Sequence, residues 1–184
     1  EVLPLARLTG RILAEDIVAR VDSPSSTSSR KDGYAVRSAD VAVASQQNPV
    51  ELKVVGRLAA GDRAEIQIAG GQTVRVTTGA PIPDGADAVL SKEFCEATAD
   101  RIIAHHFTDE GRNLLRQATD IQQGQQIAAA GEKLHPALIG LLAAAGHPSA
   151  SVYSLPKVGV IATGDEVVAP GLPLPEEKLY ASKI

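Results

Sequence analysis

The sequence predicts a multi-domain α+β chain in two parts. A β-rich module with a few helices is predicted over residues 1–154, and the start of an α/β domain over residues 155–184. Two patterns support this division. Short apolar segments separated by turn residues fill a β-rich submodule at about 45–110. An unbroken apolar run then covers Val158–Ala162, as is typical of a strand buried on both faces of a parallel sheet.

The first residues predict an amphipathic helix. Proline is tolerated at the first helical position, where its missing N–H is not needed, and Pro4 fits that position. Gly10 weakens such a helix by roughly 1 kcal/mol relative to alanine. Apolar residues recur at helical spacing, at Leu5, Leu8, Ile12 and Leu13.

A serine-rich loop and a short extended segment follow the first helix. Residues 22–30 contain serine, proline and charged residues, and this composition favours a solvent-exposed linker. Residues 31–36, with the sequence Lys-Asp-Gly-Tyr-Ala-Val, end the loop and lead into an extended run.

The submodule between residues 45 and 110 predicts several strands. Apolar and polar residues alternate over 64–68 toward the turn signal Gly70-Gly71. Val74 and Val76 alternate with polar residues, and short apolar segments at 52–55, 88–90 and 102–103 predict further strands.

The region after the submodule predicts a hairpin, a helix and a strand. Residues 124–134 resemble a hairpin, and a second helix over 136–146 is opened by Pro136 and closed by Gly146. This helix is apolar on almost every side, so we expect it to be buried. A short strand at 151–153 and a hinge at Leu155-Pro156 complete the first part.

The apolar run Val158–Ala162 ends in Thr163-Gly164-Asp165-Glu166. The glycine allows a sharp turn. The two carboxylates would lie at the carboxyl end of the strand, where open α/β sheets bind their ligands.

Composition excludes several functional classes. The net charge of −4 gives no reason to expect a nucleic-acid partner. A single cysteine, Cys95, excludes an internal disulfide framework and a cysteine-based zinc site, and we interpret it as a small buried apolar residue. Adjacent strand residues point to opposite faces, so His105 and His106 are not expected to share a metal ion. No apolar run approaches the ~18 residues of a membrane span, so no membrane partner is expected.

The first residues do not resemble a signal peptide. Because the chain begins at Glu1 and contains no methionine, we expect it to be a piece of a longer protein.

Four segments, taken together and in this order, resemble one protein family. They are Lys31–Val36, Val76–Val89 with its Thr-Thr-Gly-Ala-Pro core, Pro136–Gly146, and Ile161–Gly171 with its Thr-Gly-Asp-Glu core. The family is that of the molybdopterin molybdotransferases, which includes the MoeA proteins and the E domain of gephyrin.

The resemblance implies an enzyme of molybdenum cofactor biosynthesis. Members insert molybdate into adenylylated molybdopterin and release AMP, with Mg²⁺ assisting. They are cytoplasmic homodimers that act on small-molecule substrates. Each chain has a β-rich N-terminal part, a MogA-like α/β domain that binds molybdopterin, and a C-terminal β-barrel. The present chain would be the N-terminal portion, and we expect it to be inactive alone.

The resemblance also implies site residues in the first part of the chain. Asp32 matches an active-site carboxylate, and one or two carboxylates suit a hydrated Mg²⁺ ion. An ordinary Asp-Gly turn is the alternative. Thr78 and Gly79 match Thr-Gly-Ala-Pro, where a hydroxyl and free backbone N–H groups could hold an oxyanion. Asp120 matches an acidic catalytic position of the family. The alternative is an ordinary carboxylate on an exposed loop.

Further site residues are implied near the end of the chain. Thr163, Gly164 and Asp165 would lie beside the pterin substrate. Glu166 would be a catalytic residue and, with Asp32, a magnesium ligand, while Asp165 supports the turn.

Several residues depart from the family's pattern. Lys31 replaces methionine and Leu115 stands at the usual arginine position. Ala118 and Thr119 replace glycine and glutamate, and Lys183 stands where asparagine is typical. These changes leave open a non-catalytic molybdopterin-binding or scaffold protein on the same fold. An unrelated β-rich module would require all four segments to match by coincidence.

Overall fold

The computed structural model describes residues 1–161 and 163–182. The chain divides into two compact units, Val2–Val152 and Tyr153 onward together with Glu1. No helix in the described ranges has the length and apolar character that a membrane crossing requires.

The first unit contains one α-helix, α1 (Pro136–Ala144), and 3₁₀ helices at Leu5–Arg7, Ser38–Val41 and Lys92–Phe94. Its strands are β1 (Val2–Pro4), β2 (Ile17–Val18), β3 (Ser28–Ser29), β4 (Gly33–Val36), β5 (Val50–Leu58), β6 (Gln72–Val76), β7 (Ala88–Ser91), β8 (Cys95–Ala97), β9 (Arg101–Ala104), β10 (Leu114–Leu115), β11 (Gln126–Ala128) and β12 (Ser149–Ser151).

The predicted β-rich submodule is confirmed as a six-stranded sheet with the order β7-β4-β6-β5-β9-β8. All neighbouring strands are antiparallel except β5 and β6, which are parallel. The expected strand over residues 64–68 is wrong, because this segment is part of the connection between the parallel pair. Parallel neighbours need a long crossover rather than a tight hairpin.

The sheet buries side chains on both faces. On β4, Tyr34 and Val36 join a cluster with Leu52 and Leu90, whereas Ala35 joins a second cluster on the other face. Strand side chains alternate between faces. The two clusters therefore fix the register of β4, since a slip of one residue would exchange its faces.

The predicted first helix is wrong. Residues 2–4 form β1, which pairs with β12, and only one 3₁₀ turn follows. Gly10 has a φ of +80°, which an α-helix cannot accommodate, and its N–H bonds the Leu134 carbonyl instead. Leu8 and Leu13 are nevertheless buried, and they pack with Leu138 and other residues of the helix region. The apolar spacing thus reflects burial in an irregular chain rather than a helical face.

The second predicted helix is confirmed as α1, but its expected burial is only partly right. The His135 Nδ1 accepts a hydrogen bond from the Leu138 N–H at the start, and Gly146 follows the end with a φ of +87°. Leu138 and Leu142 are buried, whereas Ala143 on the opposite face is exposed. Only one face of the helix packs within this unit.

Three other segments form pairs that are distant in sequence. The expected hairpin at 124–134 is wrong, because β11 pairs with β2. The serine-rich segment is not a free linker, since β3 pairs with β10 and the Ser29 side chain is buried. The expected strand at 151–153 lies two residues earlier, as β12.

The predicted strand at 158–162 is not formed by its described residues. Val158 to Ile161 have no regular secondary structure and are exposed, and Ala162 lies outside the described residues. A buried parallel strand needs neighbours on both sides. The only strands described after residue 152 are β13 (Val167–Val168) and β14 (Leu179–Tyr180), which pair in parallel with each other. The described residues therefore do not show the α/β part of the predicted fold.

Candidate functional site

Asp32 and Thr78 are brought together by the pairing of β4 and β6. Gly33 lies opposite Val76, so the residue before β4 meets the residues that follow β6. Oδ1 of Asp32 accepts two hydrogen bonds from Thr78, one from its N–H at 2.8 Å and one from its hydroxyl at 2.9 Å. The two residues that the sequence predicts on separate turns thus form one polar cluster.

Gly33 is required by close packing and not by the turn that the sequence suggested. It opens β4 and is buried, and a Cβ built on it would lie 2.1 Å from the Leu90 carbonyl oxygen. No side chain fits at that distance, so the glycine is required by the close approach of β7. The main chain that follows Asp32 is held in place as a result.

The Asp32 carboxylate is stabilised in its ionised form. Hydrogen bonds from the Thr78 N–H and then from its hydroxyl lower the pKa of Asp32 below its usual value, and the positive charges of Lys92 and Arg75 contribute in the same direction. The Lys92 Nζ lies 3.8 Å from Oδ2, and both side chains are about half exposed. Oδ1 is therefore occupied by Thr78, while Oδ2 faces solvent and a cation.

Asp32 lines a cleft of about 260 Å³, which we call the Asp32 cleft. Arg75 and Lys92 also line it, so two cations stand beside one carboxylate. Such a cleft can receive an anion while Asp32 offers an oxygen ligand. Neither Arg75 nor Lys92 was predicted from the sequence as a site residue. The alternation of Val74 and Val76 with Arg75 is a signal that the arginine points away from the core.

The backbone N–H groups of the Thr-Gly-Ala-Pro turn are not free, contrary to the sequence expectation. The Gly79 N–H donates to the Ser29 carbonyl at 2.8 Å, and the Ala80 N–H donates to the Thr77 carbonyl at 2.9 Å. The Thr78 N–H donates to Oδ1 of Asp32. These groups hold the turn together, so an oxyanion would be bound by side chains instead. Gly79 itself has a φ of +82°, which favours glycine.

Asp120 lies on an exposed loop outside the Asp32 cleft. Its N–H donates to the Ser23 carbonyl at 2.9 Å, and the next residue, Ile121, is buried. Asp120 is not among the described residues that line the Asp32 cleft.

Two departures from the family's pattern are accommodated by the local chain next to Asp120. Leu115 lies in β10, opposite Ser28, and the Thr119 hydroxyl donates to the Arg116 carbonyl at 2.6 Å. Ala118 has a φ of +58°, a conformation that L-residues other than glycine rarely adopt. Lys183 lies outside the described residues.

The second unit contains the remaining predicted site residues, 163–166, on an exposed turn. Gly164 has a φ of +136°, and the Glu166 carboxylate lies so close that a Cβ on Gly164 would be 2.6 Å from it. The Glu166 carbonyl accepts the Leu179 N–H at 2.9 Å, and the Asp165 carbonyl accepts a bond from the Lys178 ammonium. Thr163 is exposed beside this turn.

The donor set offers limited support for a magnesium ion. Magnesium takes one or two carboxylates and keeps several waters. Oδ2 of Asp32 and the Thr78 hydroxyl are oxygen donors of the right kind, but the Lys92 ammonium lies beside that carboxylate. No group of three or more His, Cys, Asp or Glu side chains in the described ranges could hold a metal ion. Asp32 therefore fits as a single protein ligand of a magnesium ion, and waters or other groups would supply the remaining ligands.

Cys95 lines the Asp32 cleft as a protonated thiol. It packs against the sheet core, and burial followed by the nearby Glu93 charge raises the pKa of its thiol to about 12. A thiol with so high a pKa stays protonated. The sequence interpretation of Cys95 as a small buried apolar residue is only partly right, because the residue packs against the core but is partly exposed.

The two adjacent histidines contact different partners. The His105 Nε2 lies 3.2 Å from a Glu96 carboxylate oxygen, whereas the ring of His106 contacts the rings of Phe94 and Phe107.

Comparison with known proteins points to one family. Residues 1–146 match the family described as the MoeA N-terminal region, domains I and II. Two curated relatives are named molybdopterin molybdenumtransferase. The protein from Synechococcus elongatus is 39% identical over 169 residues, 91% of this chain and 42% of its own length. The protein from Bacillus subtilis is 37% identical over 177 residues, which make up 94% of this chain and 41% of its own length.

A solved structure agrees with this comparison. The molybdopterin biosynthesis MoeA protein from Pyrococcus horikoshii superposes with a TM-score of 0.88 at 36% identity, over 98% of this chain and 46% of that one. The chain thus spans less than half the length of these proteins.

Proposed function

The chain belongs to the MoeA family, whose N-terminal region it matches, and we propose that it forms part of a molybdopterin molybdotransferase. The proposed reaction inserts molybdate into adenylylated molybdopterin and releases AMP. The joining of Asp32 and Thr78 in one cluster carries the proposal, because these residues come from two of the four family segments.

In this proposal the Asp32 cleft binds the anionic part of the substrate. Arg75 and Lys92 attract the phosphate or molybdate oxygens, and Thr78 holds Asp32 ionised and oriented. Magnesium, when bound through Oδ2 of Asp32, would neutralise charge on those oxygens. With Asp32 holding that ion, the Lys92 ammonium, now 3.8 Å from Oδ2, would contact the substrate anion instead.

The other predicted residues are assigned to the same reaction. Glu166 is proposed as a second magnesium ligand, and Thr163, Gly164 and Asp165 as contacts to the pterin. Asp120 keeps its proposed role in catalysis. Gly79 is proposed to support substrate binding indirectly, by shaping the turn that presents Thr78, because its own N–H is donated to the Ser29 carbonyl. We also propose that the full-length protein acts in the cytoplasm as a homodimer, so that parts of the cleft come from both subunits.

A non-catalytic binding or scaffold role is the second candidate. The departures from the family's pattern motivate it, and Leu115 and Thr119 are two of them. Both residues are held within the β3–β10 region rather than in the Asp32 cleft, which favours the enzyme over the scaffold.

The test is molybdate insertion and AMP release by the full-length protein and its Asp32→Asn variant. We expect a rate loss of about 100-fold or more, because the amide removes the charge that binds the cation. The matched control is Asp100→Asn, an exposed aspartate whose contact is a long ion pair with Arg101, and it should keep the normal rate. A full rate in Asp32→Asn would contradict the proposed role, and no turnover in the unaltered protein would favour the scaffold.

A further inference from the structure

Ser29 is a buried residue that bonds the chain next to both Asp32 and Thr78. It ends β3, has 2% of its surface exposed and is not among the described residues that line the Asp32 cleft. Serine is mostly found at protein surfaces, because a buried hydroxyl without a hydrogen-bond partner is costly. The partners of a buried serine therefore indicate what it does.

The Ser29 hydroxyl holds the chain that leads into Asp32. It donates to the Lys31 carbonyl at 2.5 Å, and its oxygen accepts a hydrogen bond from the Lys31 N–H at 3.2 Å. That carbonyl belongs to the planar peptide bond between Lys31 and Asp32, so the hydroxyl restrains the peptide plane that precedes the carboxylate. Gly33, packed against β7, restrains the chain on the other side. Asp32 is thus held from both directions.

The main chain of Ser29 holds the turn that follows Thr78. The Ser29 N–H donates to the Ala80 carbonyl, and the Ser29 carbonyl accepts a hydrogen bond from the Gly79 N–H, both at 2.8 Å. These two bonds do not need a serine, whereas the two bonds to Lys31 need its hydroxyl. Ser29→Ala therefore removes the hold on the segment of Asp32 while leaving the hold on the turn in place.

We propose that Ser29 is a positioning residue, which keeps Asp32 and Thr78 in the arrangement that receives the substrate. This inference rests on the proposed function, because that function gives the two residues their roles. The hydrogen bonds from Thr78 to Asp32 are 2.8 and 2.9 Å long. A displacement of the Asp32 main chain by about 1 Å away from Thr78 would break both of them.

The exposure of Lys31 separates positioning from a purely structural role. Because Lys31 is exposed, water can bond its N–H and its carbonyl once the hydroxyl is gone. The chain should then stay folded, but water does not fix the peptide plane before Asp32. A residue needed only for folding would instead weaken the whole unit and leave the local arrangement of Asp32 and Thr78 unchanged.

The first test is molybdate insertion by the full-length protein and its Ser29→Ala variant. We expect kcat to fall about tenfold with KM changed by less than about twofold, because the variant misplaces a reacting group without removing a contact to the substrate. The matched control is Thr73→Val. It removes another buried hydroxyl, which donates to the Ala35 carbonyl on β4 at 2.7 Å, and it should keep both kcat and KM.

The second test is amide hydrogen exchange, measured by NMR on the 184-residue chain. The Thr78 N–H is the one that donates to Asp32, and Ser29→Ala should speed its exchange about tenfold relative to the N–H groups of β6. Thr73→Val should leave the exchange of Thr78 unchanged relative to the same groups. If Ser29→Ala does not fold, Ser29→Cys replaces it, since a thiol is a weaker donor and should give a smaller change in the same direction.

Two results would overturn the proposal and leave the proposed function intact. One is a normal kcat in Ser29→Ala where Asp32→Asn is slow, and the other is unchanged relative exchange of the Thr78 N–H. A lack of turnover in the unaltered protein would instead overturn the proposed function. The exchange measurement would then decide alone whether Ser29 holds the two residues together.

Discussion

Asp32 and Thr78 show how two short polar segments become one site. Both were expected at the site from their motifs, and the register of β4 against β6 joins them. Arg75 and Lys92 could not be found in the same way. Arg75 lies on β6 and Lys92 follows β7, so their meeting at Asp32 depends on the order of three strands that are separated in sequence.

The titration of Asp32 tests the role of Thr78. Thr78→Val removes the hydroxyl but keeps the N–H, which is the larger cause of the lowered pKa. We expect the pKa of Asp32 to rise toward its ordinary value without reaching it. The measurement is an NMR titration of the Asp32 carboxyl carbon. An unchanged pKa would show that the hydroxyl does not contribute.

The sign of the pH effect follows from the lowered pKa. A carboxyl group with a lower pKa in the folded state stabilises that state above its unfolded pKa, and the effect is lost as the pH falls through the folded value. Thr78→Val should therefore lose stability near neutral pH but little in strong acid. Urea unfolding at several pH values measures this difference, and equal losses at all pH values would contradict it.

Ala118 carries local strain that glycine would relieve. Its φ of +58° costs an alanine roughly 1–2 kcal/mol. We expect Ala118→Gly to raise the free energy of unfolding by about 1 kcal/mol, as measured by urea unfolding. The matched control is Ala143→Gly on the exposed side of α1, which should lower it by about 1 kcal/mol. A loss of stability in Ala118→Gly would refute this account.

At the scale of elements, the sequence predicted strands well where apolar residues alternate with polar ones or form short runs. β5, β6, β7 and β9 fall inside the predicted submodule because alternation is a local property. The first helix was predicted wrongly because Leu8 and Leu13 are spaced like a helical face but are buried by α1 and β12. That burial involves residues more than a hundred positions away, which local spacing does not contain.

Gly33 is the element-scale position with the sharpest expected effect. A methyl group there would overlap the Leu90 carbonyl between β4 and β7. We expect Gly33→Ala to lower the free energy of unfolding by about 3 kcal/mol, as measured by urea unfolding. Gly140→Ala on the exposed side of α1 meets no atom within 4 Å and should instead be stabilising by about 1 kcal/mol. Tolerance of Gly33→Ala would mean that the two strands are not so closely packed.

At the scale of the molecule, every hydrophobic cluster of the described residues lies within Val2–Val152. No described residue from Tyr153 to Ser182 is buried. We therefore expect a chain ending at Val152 to unfold with a free energy within about 1 kcal/mol of that of the 184-residue chain, because burial supplies most of the stability. Urea unfolding of both chains is the measurement. A loss of several kcal/mol on truncation would contradict it.

The strand order of the six-stranded sheet also has a kinetic consequence. β8 and β9 are joined by a short turn, whereas the other neighbouring strands are far apart in sequence. The parallel strands β5 and β6 meet across residues 59–71, but β4 meets β6 only when residues 37–71 have closed into a loop, and β7 only when residues 37–87 have done so. Closing such long loops has an entropic cost before any contact forms. Refolding should thus be limited by the docking of β4, and shortening a loop between these strands would alter the rate of assembly more than the rate of disassembly.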